Sequence, residues 1–230
     1  MSKQKTEDQR LFPSIFHSRR YPLIKLRKEI ALITKKYIVG SEYNTLLDYG
    51  SGEAPYKPFF KQYISNYIAA DIEASVEDVM KLNSDGSIPA EANSIDIVLS
   101  TQVLEHVEEP TLYLSEANRV LRKDGLLILS THGYWIFHPS PNDYWRWTSQ
   151  GLRRIIEERG FEVVSFRGIM NRSAVGVLLI QDHFAFKLPI VLRQIFTMFM
   201  QMFIWIFDKS SGQKTRDRDA GIFVVAARKK

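Results

Sequence analysis

The 230-residue chain contains no cysteine, so disulfide bonds and thiolate metal sites are excluded, and a reducing cytoplasm is compatible with the composition. Residues 1–10 are charged and polar and lack the apolar core of a secretory signal. We therefore expect a disordered tail over residues 1–20 and a cytoplasmic protein. Acidic residues are few, 26 against 31 Lys and Arg. The net charge of +5 favours anionic surroundings without choosing among nucleic acid, a membrane and a phosphorylated carrier.

The glycine-rich turn after the first predicted strand lacks the third glycine of a dinucleotide-binding loop. An apolar run ends at Asp48 and is followed by Gly50–Gly52, whereas Pro55 stands where that third glycine would be. Proline there shortens or redirects the next helix and leaves less room for a pyrophosphate at its N-terminus. A buried strand that breaks into glycines still predicts a nucleotide-type ligand. The Asp48 carboxylate favours a cationic or hydroxyl-bearing ligand over a phosphate.

Strand patterns alternate with helical patterns along most of the chain, which favours one α/β domain over residues 21–230 with a parallel sheet. Helices are predicted at Tyr21–Ile38, Thr111–Leu121 and Gly151–Arg159. Strands are predicted at Asn44–Asp48, Tyr67–Asp71, Asp78–Lys81, Ser94–Ser100, Leu126–Ser130, Phe161–Phe166 and Gly221–Ala227. Asp71 ends the second strand about 20 residues after Gly50, the place from which an acid reaches the ribose of a nucleoside in such sheets. A helix-capping aspartate is the alternative.

Four segments in chain order resemble the motifs of class I S-adenosylmethionine-dependent methyltransferases, in particular the type 11 small-molecule methyltransferases. These segments are Leu47–Gly52, Ala70–Ile72, Asn93–His106 and Glu116–Ser130. The resemblance implies a Rossmann-like, seven-stranded and mostly parallel sheet with helices on both faces and an antiparallel last strand. It also implies S-adenosyl-L-methionine as the cofactor. No metal-binding cluster is evident in the sequence, so we expect no metal ion.

The resemblance assigns roles in cofactor binding to nine residues. The glycine turn would pass beneath the methionine part, with Asp48 near its ammonium group. Asp71 would hold the ribose and Ile72 would pack on the adenine, while Thr101 and Gln102 would lie near the sulfonium. Relatives carry an acid after strand three, and backbone groups near Leu82 would replace it here. The assigned residues are Asp48, Gly50, Ser51, Gly52, Asp71, Ile72, Leu82, Thr101 and Gln102.

The loop after the fifth strand, residues 132–148, holds three of the four tryptophans and two of the five histidines. Loops at the carboxyl ends of strands carry function in such sheets, so this loop is the candidate acceptor site. A hydroxyl acceptor must lose a proton, for which His138 and Asp143 are the candidate catalytic bases, with His132 in reserve and His106 read as structural. The alternative is an aromatic plug that closes the sheet. The loop also resembles a subgroup of bacterial methyltransferases met among surface-polysaccharide genes.

An apolar helical insertion is predicted at about 174–209, and residues 188–207 are its most apolar part. The uninterrupted apolar run is shorter than a spanning helix needs, since Arg193 and Gln194 interrupt it. A core helix, a homodimer face, an interfacial membrane helix and a true span are the alternatives. Residues 210–219 are polar and predict a loop.

The expected function is methyl transfer to a small-molecule, sugar or lipid-linked glycan acceptor, at the inner face of the membrane if residues 188–207 bind there. A nucleic-acid methyltransferase is one alternative, since the chain is basic, but no Asn-Pro-Pro-aromatic motif of base-flipping enzymes occurs. A non-catalytic, cofactor-binding or membrane-associated protein is the other. The intact Asp48, Gly50, Gly52 and Asp71 argue against a dead site.

Overall fold

A computed structural model describes residues 10–73 and 78–230 of the chain. Seven strands form a single sheet in the order β3-β2-β1-β4-β5-β7-β6, in which β7 runs antiparallel to β5 and β6. The strands are β1 (Thr45–Tyr49), β2 (Asn66–Asp71), β3 (Val79–Lys81), β4 (Ile95–Thr101), β5 (Leu121–His132), β6 (Phe161–Ile169) and β7 (Ile222–Lys229). The predicted seven-stranded, mostly parallel sheet with an antiparallel last strand is confirmed.

Helices cover both faces of this sheet. They are α1 (Arg20–Tyr37), α2 (Lys57–Phe60), α3 (Pro110–Val120), α4 (Ser149–Glu158), α5 (Arg172–Ala185), α6 (Ile190–Lys209) and α7 (Gln213–Arg218). Successive strand residues point to opposite faces, so Leu46 packs with one apolar cluster and Leu47 with the other. Helices α1, α5 and α6 contribute to the first cluster, and α3 and α4 to the second. Every residue of β4 is buried, as expected for a central strand covered on both sides.

Two loop predictions are corrected by tertiary contacts. Residues 10–19, which we call the N-terminal strap, belong to the predicted disordered tail, but Leu11 is buried in the first apolar cluster and its carbonyl accepts a hydrogen bond from Arg27 (2.6 Å). Residues 1–9 of that tail lie outside the described residues. Part of the predicted polar loop at 210–219 forms α7, because Arg216 donates to the carbonyls of Asp208 and Ser211 (both 2.8 Å).

Asn171 joins the beginning of α5 to the end of α6, the two helices of the insertion. Its Oδ1 accepts from the Ala174 N–H (2.9 Å), which caps α5, and its Nδ2 donates to the Phe207 carbonyl (2.8 Å). Its own N–H donates to Asp208 Oδ1 (2.9 Å). The side chain is buried, so without it the Ala174 N–H and the Phe207 carbonyl would each lose a partner that water cannot replace.

Replacing Asn171 by Ala is therefore expected to lower the free energy of unfolding by about 2–3 kcal/mol, the sum of a lost cap and unpaired buried groups. Thr148 provides a matched control, because its exposed Oγ1 caps α4 by accepting from the Gly151 N–H (3.1 Å). Thr148→Ala should cost about 1 kcal/mol. Urea unfolding measures both variants, and equal losses would contradict the joining role of Asn171.

Candidate functional site

A large cleft of about 1940 Å³ opens along the carboxyl ends of β1, β2, β4 and β5. This is the edge at which parallel α/β sheets bind their ligands, because the loops that leave the strands diverge there. Eight of the nine predicted cofactor residues line the cleft, namely Gly50, Ser51, Gly52, Asp71, Ile72, Leu82, Thr101 and Gln102. Asp48 lies directly beneath the glycine turn, at the end of β1.

The glycine turn is held close to β2 and needs its glycines. The N–H groups of Gly50 and Ser51 both donate to the Ala70 carbonyl (2.9 and 3.0 Å). Gly50 has φ +78°, and a Cβ at this position would lie 2.7 Å from both methyl groups of Val103. At Gly52, with φ +52°, a Cβ would meet nothing within 4 Å. The turn therefore presents bare backbone to the cleft, as a ligand that passes against the main chain requires.

Asp71 links the glycine turn to the loop after β2. Its carboxylate accepts from the Gly52 N–H (2.8 Å) and the Glu73 N–H (3.1 Å), and Asp71 lines the cleft. Ile72 is exposed on the cleft rim, as a side chain that packs on a ring would be. Leu82 lines the wall of the cleft, and its N–H donates to the Asp71 carbonyl (3.0 Å). The expected contact of backbone groups near Leu82 with the cofactor stays a prediction.

Thr101 and Gln102 end β4 at the centre of the cleft. Gln102 has φ +57°, a strained conformation for a residue with a side chain. Two hydrogen bonds to Ser130 on β5 hold it, from the backbone N–H to the carbonyl (2.9 Å) and from Nε2 to the hydroxyl (3.1 Å). The strain is thus fixed by the neighbouring strand, and the turn is held rigidly between the two halves of the cleft.

The Asp48 carboxylate is only 1% exposed and is incompletely paired. Its Oδ2 accepts from the Tyr67 hydroxyl, while its Oδ1 has no hydrogen-bond partner among the described residues. Burial raises the pKa of Asp48 to about 7. An orphaned carboxylate oxygen under a glycine turn fits a cationic ligand group, as the predicted ammonium of S-adenosyl-L-methionine would supply directly or through water.

Asp48 is expected to make the stability of the protein depend on pH. Its folded pKa of about 7 lies above the unfolded value of about 3.9, so the folded state keeps a proton that the unfolded state has lost. Its contribution to stability is present below about pH 4 and is lost as pH rises towards 7. Asp48→Asn should therefore raise the free energy of unfolding at pH 8 by about 2–4 kcal/mol and weaken cofactor binding.

Urea unfolding at pH 5 and pH 8, with calorimetric titration of the cofactor, measures both effects of Asp48→Asn. Asp143→Asn is the control of opposite sign, because Arg146 lowers the pKa of Asp143 to about 2 and its ionised form is the stabilising one. Unfolding free energies that depend on pH equally in Asp48→Asn and wild type would contradict the assignment.

Glu105 lies beneath the acceptor side of the cleft and is completely buried. Its Oε2 accepts from the Thr131 hydroxyl (2.8 Å), and its Oε1 lies 3.0 Å from Nδ1 of His132 and 4.0 Å from Nε2 of His106. The His132 contact is close but not aligned as a hydrogen bond, which leaves both atoms unpartnered. Burial raises the pKa of Glu105 to about 7 and lowers the pKa of His132 well below its usual value. His132 is therefore a neutral imidazole beside a titratable carboxyl.

Three histidines from the predicted list line the cleft around this carboxylate, namely His106, His132 and His138. The ring of His132 stacks on Trp135 with centroids 4.6 Å apart, and the ring of His138 lies 6.3 Å from that of His132. His106 is tied to the loop, since its Nδ1 lies 2.5 Å from the Asn142 carbonyl oxygen. The aromatic loop therefore forms a wall of the cleft as well as a cover for the sheet.

Asp143, predicted as a catalytic base with His138, is engaged elsewhere. Its two oxygens accept from the Arg146 guanidinium (2.6 Å each), and Oδ2 also accepts from the His138 backbone N–H (2.6 Å). It therefore contacts the main chain of His138 rather than its ring. Together with a pKa of about 2, this makes Asp143 a poor proton acceptor and a residue that shapes the loop.

The sequence interpretation missed Glu105 and Trp135 as members of the site. Glu105 follows β4 within the apolar sequence Val103–Val107, and an acid at the carboxyl end of a buried strand was the available signal. Nothing in the sequence singled out Trp135 apart from its position in the loop at residues 132–148. Across residues 10–73 and 78–230, no group of three or more His, Asp and Glu side chains could hold a metal ion.

Residues 15–166 match a family model described as a methyltransferase domain. A probable S-adenosylmethionine-dependent methyltransferase of Mycolicibacterium smegmatis is 29% identical over 97 residues, which cover 40% of this chain and 38% of that relative.

Solved structures share the fold at low sequence identity. A SAM-dependent methyltransferase from Archaeoglobus fulgidus has a TM-score of 0.59 at 13% identity, covering 99% of this chain and 100% of that one. Phosphoethanolamine N-methyltransferase 2 of Haemonchus contortus, in complex with S-adenosyl-L-methionine, has a TM-score of 0.53 at 15% identity and covers 100% of this chain and 60% of that one.

Proposed function

The chain belongs to the methyltransferase-domain family and is a class I S-adenosylmethionine-dependent methyltransferase. From this we propose that its acceptor is a hydroxyl group of a small molecule, a sugar or a lipid-linked glycan. The pair of Glu105 and His132 at the acceptor side of the cleft is the observation that carries the proposal. A hydroxyl must lose its proton as it is methylated, and a neutral imidazole backed by a buried carboxylate is suited to accept it.

The cofactor supplies a methyl group on a sulfonium sulfur, which leaves as a neutral thioether. The chain has to bind and align it, because in-line transfer depends on the positions of nucleophile, methyl and sulfur. We assign the backbone of Gly50–Gly52 and the carboxylates of Asp71 and Asp48 to this binding. The rigid turn at Thr101 and Gln102 separates the cofactor side of the cleft from the acceptor side.

The proposed proton acceptor is Nε2 of His132. In the tautomer that carries its hydrogen on Nδ1, which lies 3.0 Å from Glu105 Oε1, Nε2 has a free lone pair and takes the proton as the acceptor oxygen bonds to carbon. The ionised Glu105 then stabilises the imidazolium that forms, in the way a buried acid supports a catalytic histidine. His138, which also lines the cleft but has no carboxylate on its ring among the described contacts, is the alternative base.

The acceptor class is tested by transfer of a radiolabelled methyl group. Purified protein and labelled S-adenosyl-L-methionine are incubated with lipid extracts and soluble extracts of a bacterial cell envelope, and with RNA and DNA. Label in an alkali-stable ether of an envelope or small-molecule fraction supports the proposal. Label in nucleic acid alone would overturn it in favour of the nucleic-acid alternative, and binding of cofactor without any transfer would favour a non-catalytic protein.

The partners and the location expected from the sequence remain proposals. They are peripheral membrane contact through residues 188–207, a homodimer, and a cytoplasmic protein at the inner face of the membrane. The apolar surface of α6 supports membrane contact and a homodimer face alike by its composition alone. The charges around α6 and the residues on its inward side distinguish membrane contact from a homodimer face.

A further inference from the structure

Helix α6 has its polar side inward and its apolar side outward. Its buried positions are Thr197, Gln201, Ile204 and Asp208, three of them polar and all on one stripe. Eleven large apolar residues of the same helix are between 42% and 62% exposed: Ile190, Val191, Leu192, Ile195, Met198, Phe199, Met202, Phe203, Trp205, Ile206 and Phe207. This is the reverse of a helix that packs in water, where the apolar stripe faces the core.

Two members of the buried polar stripe, Gln201 and Asp208, are held by hydrogen bonds to other parts of the protein. Gln201 donates to the Ser18 carbonyl (2.8 Å) and to Gln181 of α5 (2.7 Å), and accepts from the Tyr21 N–H (2.8 Å). Asp208 accepts from the Tyr21 hydroxyl (2.6 Å). These contacts fix which side of α6 faces inward. The apolar side is therefore turned outward by specific hydrogen bonds, and its exposure costs free energy in water.

The outward apolar surface is broad and extends beyond α6. On α6 ten of the eleven exposed apolar residues, all except Ile190, span about 200° of the circumference at 3.6 residues per turn. Neighbouring elements add exposed apolar side chains. These are Leu179, Ile180, Phe184 and Phe186 at α5 and its end, and Phe12, Ile15 and Phe16 of the N-terminal strap. A patch of this extent marks an interaction surface, and its breadth suits a medium that can surround a helix better than it suits one facing helix.

The charges around this surface are of one sign. Lys187 and Lys209 are exposed at the two ends of the apolar stretch, and Lys209 lies 4.0 Å from the centre of the Trp205 ring. The acids of residues 172–209 are neutralised, since Asp182 pairs with Arg19 (2.5 Å) and Asp208 is buried. A basic rim with a tryptophan beside it matches the headgroup level of an anionic bilayer.

We propose that α5, α6 and the N-terminal strap form one surface that docks on an anionic lipid bilayer, with α6 lying in the plane of the interface. In the described chain α6 is the one helix long and apolar enough to cross a membrane, with a mean hydropathy of 1.7 over an 18-residue window of which 22% is buried. Spanning would break the contacts of Gln201 and Asp208, and lying in the interface keeps them.

Docking also places the acceptor side of the cleft beside the bilayer. Arg19 of the strap pairs with Asp182 of α5 through both nitrogens (2.5 and 2.8 Å), and its guanidinium carbon lies 5.5 Å from the Trp135 ring centre. Trp135 in turn stacks on His132. The proposed docking surface is thus connected to His132, the proposed base, by direct contacts. On the proposed function, this favours an acceptor held at the membrane by a lipid.

Flotation with vesicles of phosphatidylcholine, with and without phosphatidylglycerol, tests the docking. Wild type should float with the anionic vesicles, and the double substitution Phe199→Asp with Phe203→Asp should lower the bound fraction roughly tenfold or more. The matched control is Leu32→Asp with Val39→Asp, two exposed apolar residues elsewhere that receive the same charges, and it should float like wild type. Lys187→Glu with Lys209→Glu should lose binding to the anionic vesicles.

Calorimetric titration with S-adenosyl-L-methionine on the same samples shows that each variant is folded, and it keeps this test separate from that of the acceptor. Wild type that binds cofactor but stays soluble with both vesicle types overturns the docking proposal. A wild-type dimer that Phe199→Asp with Phe203→Asp converts to monomers, without vesicle binding, assigns the surface to a second copy and overturns it as well. Sedimentation velocity measures this outcome.

Discussion

Gly50→Ala is expected to lower the affinity for the cofactor on the order of a hundredfold, the largest single effect in the glycine turn. Two costs add at this position. The φ of +78° costs a residue with a Cβ about 1–2 kcal/mol, and the new methyl would lie 2.7 Å from both methyl groups of Val103, which adds about 1–3 kcal/mol of overpacking. The turn can relieve both only by moving off the Ala70 carbonyl, and that movement deforms the floor of the cleft. Calorimetric titration with S-adenosyl-L-methionine measures the loss.

Two further variants separate the causes. Gly40 has φ +81° and open space around its Cβ position, so Gly40→Ala carries the conformational cost without the overlap and lies outside the cleft. It should lower stability by about 1–2 kcal/mol and leave cofactor affinity unchanged. Val103→Ala in the Gly50→Ala background should restore part of the affinity. Undiminished binding by Gly50→Ala would show that the cofactor does not rest on this turn.

Glu105→Gln and His132→Asn are each expected to lower kcat by about 10²–10⁴-fold, with the affinity for S-adenosyl-L-methionine within about twofold of wild type. The amide of Gln fills the space of the carboxyl but cannot carry the negative charge that stabilises the His132 imidazolium. Initial rates with the acceptor found by the radiolabel screen, together with calorimetric titration of the cofactor, separate lost chemistry from lost binding.

The pH profile gives an independent signature of the same pair. Burial raises the pKa of Glu105 to about 7, and the carboxylate has to be ionised to act, so wild-type kcat should rise from pH 6 to pH 8. Glu105→Gln should remove this rise, and the low pKa of His132 keeps the imidazole neutral throughout that range. A purely structural role of Glu105 would lower stability without changing the shape of the profile.

His138→Asn is the matched control for the base, because His138 lines the same cleft without a carboxylate on its ring. It should change KM for the acceptor more than kcat. A loss of kcat in His138→Asn that equals the loss in His132→Asn, with a normal profile in Glu105→Gln, would transfer the role of base to His138. Asp143→Asn should destabilise the loop, since it breaks the pairing with Arg146.

The sequence by itself determined the sheet, and eight of the nine residues that it predicts for cofactor binding line the cleft, where that role stays a prediction. Its signals there are local: apolar strands, acids at strand ends, and glycines where a turn has positive φ and passes close to another strand. Asp71 follows the same logic, because the carboxyl ends of neighbouring parallel strands meet at one edge. Short-range patterns of this kind survive in sequence, since each residue's role depends mainly on its neighbours along the chain.

Only the tertiary structure decided the acceptor side and the outward face of α6. His138 and Asp143 are five residues apart and suggested a pair, yet the carboxylate of Asp143 pairs with Arg146, and Glu105 reaches His132 from the loop after β4. Composition described α6 as apolar but gave no direction to its faces. Gln201 and Asp208 set that direction through hydrogen bonds to the N-terminal strap and to Tyr21 of α1. Tyr21 is 180 residues from Gln201 and 187 residues from Asp208 in the sequence. Contacts between distant segments depend on how the whole chain packs, which no local pattern encodes.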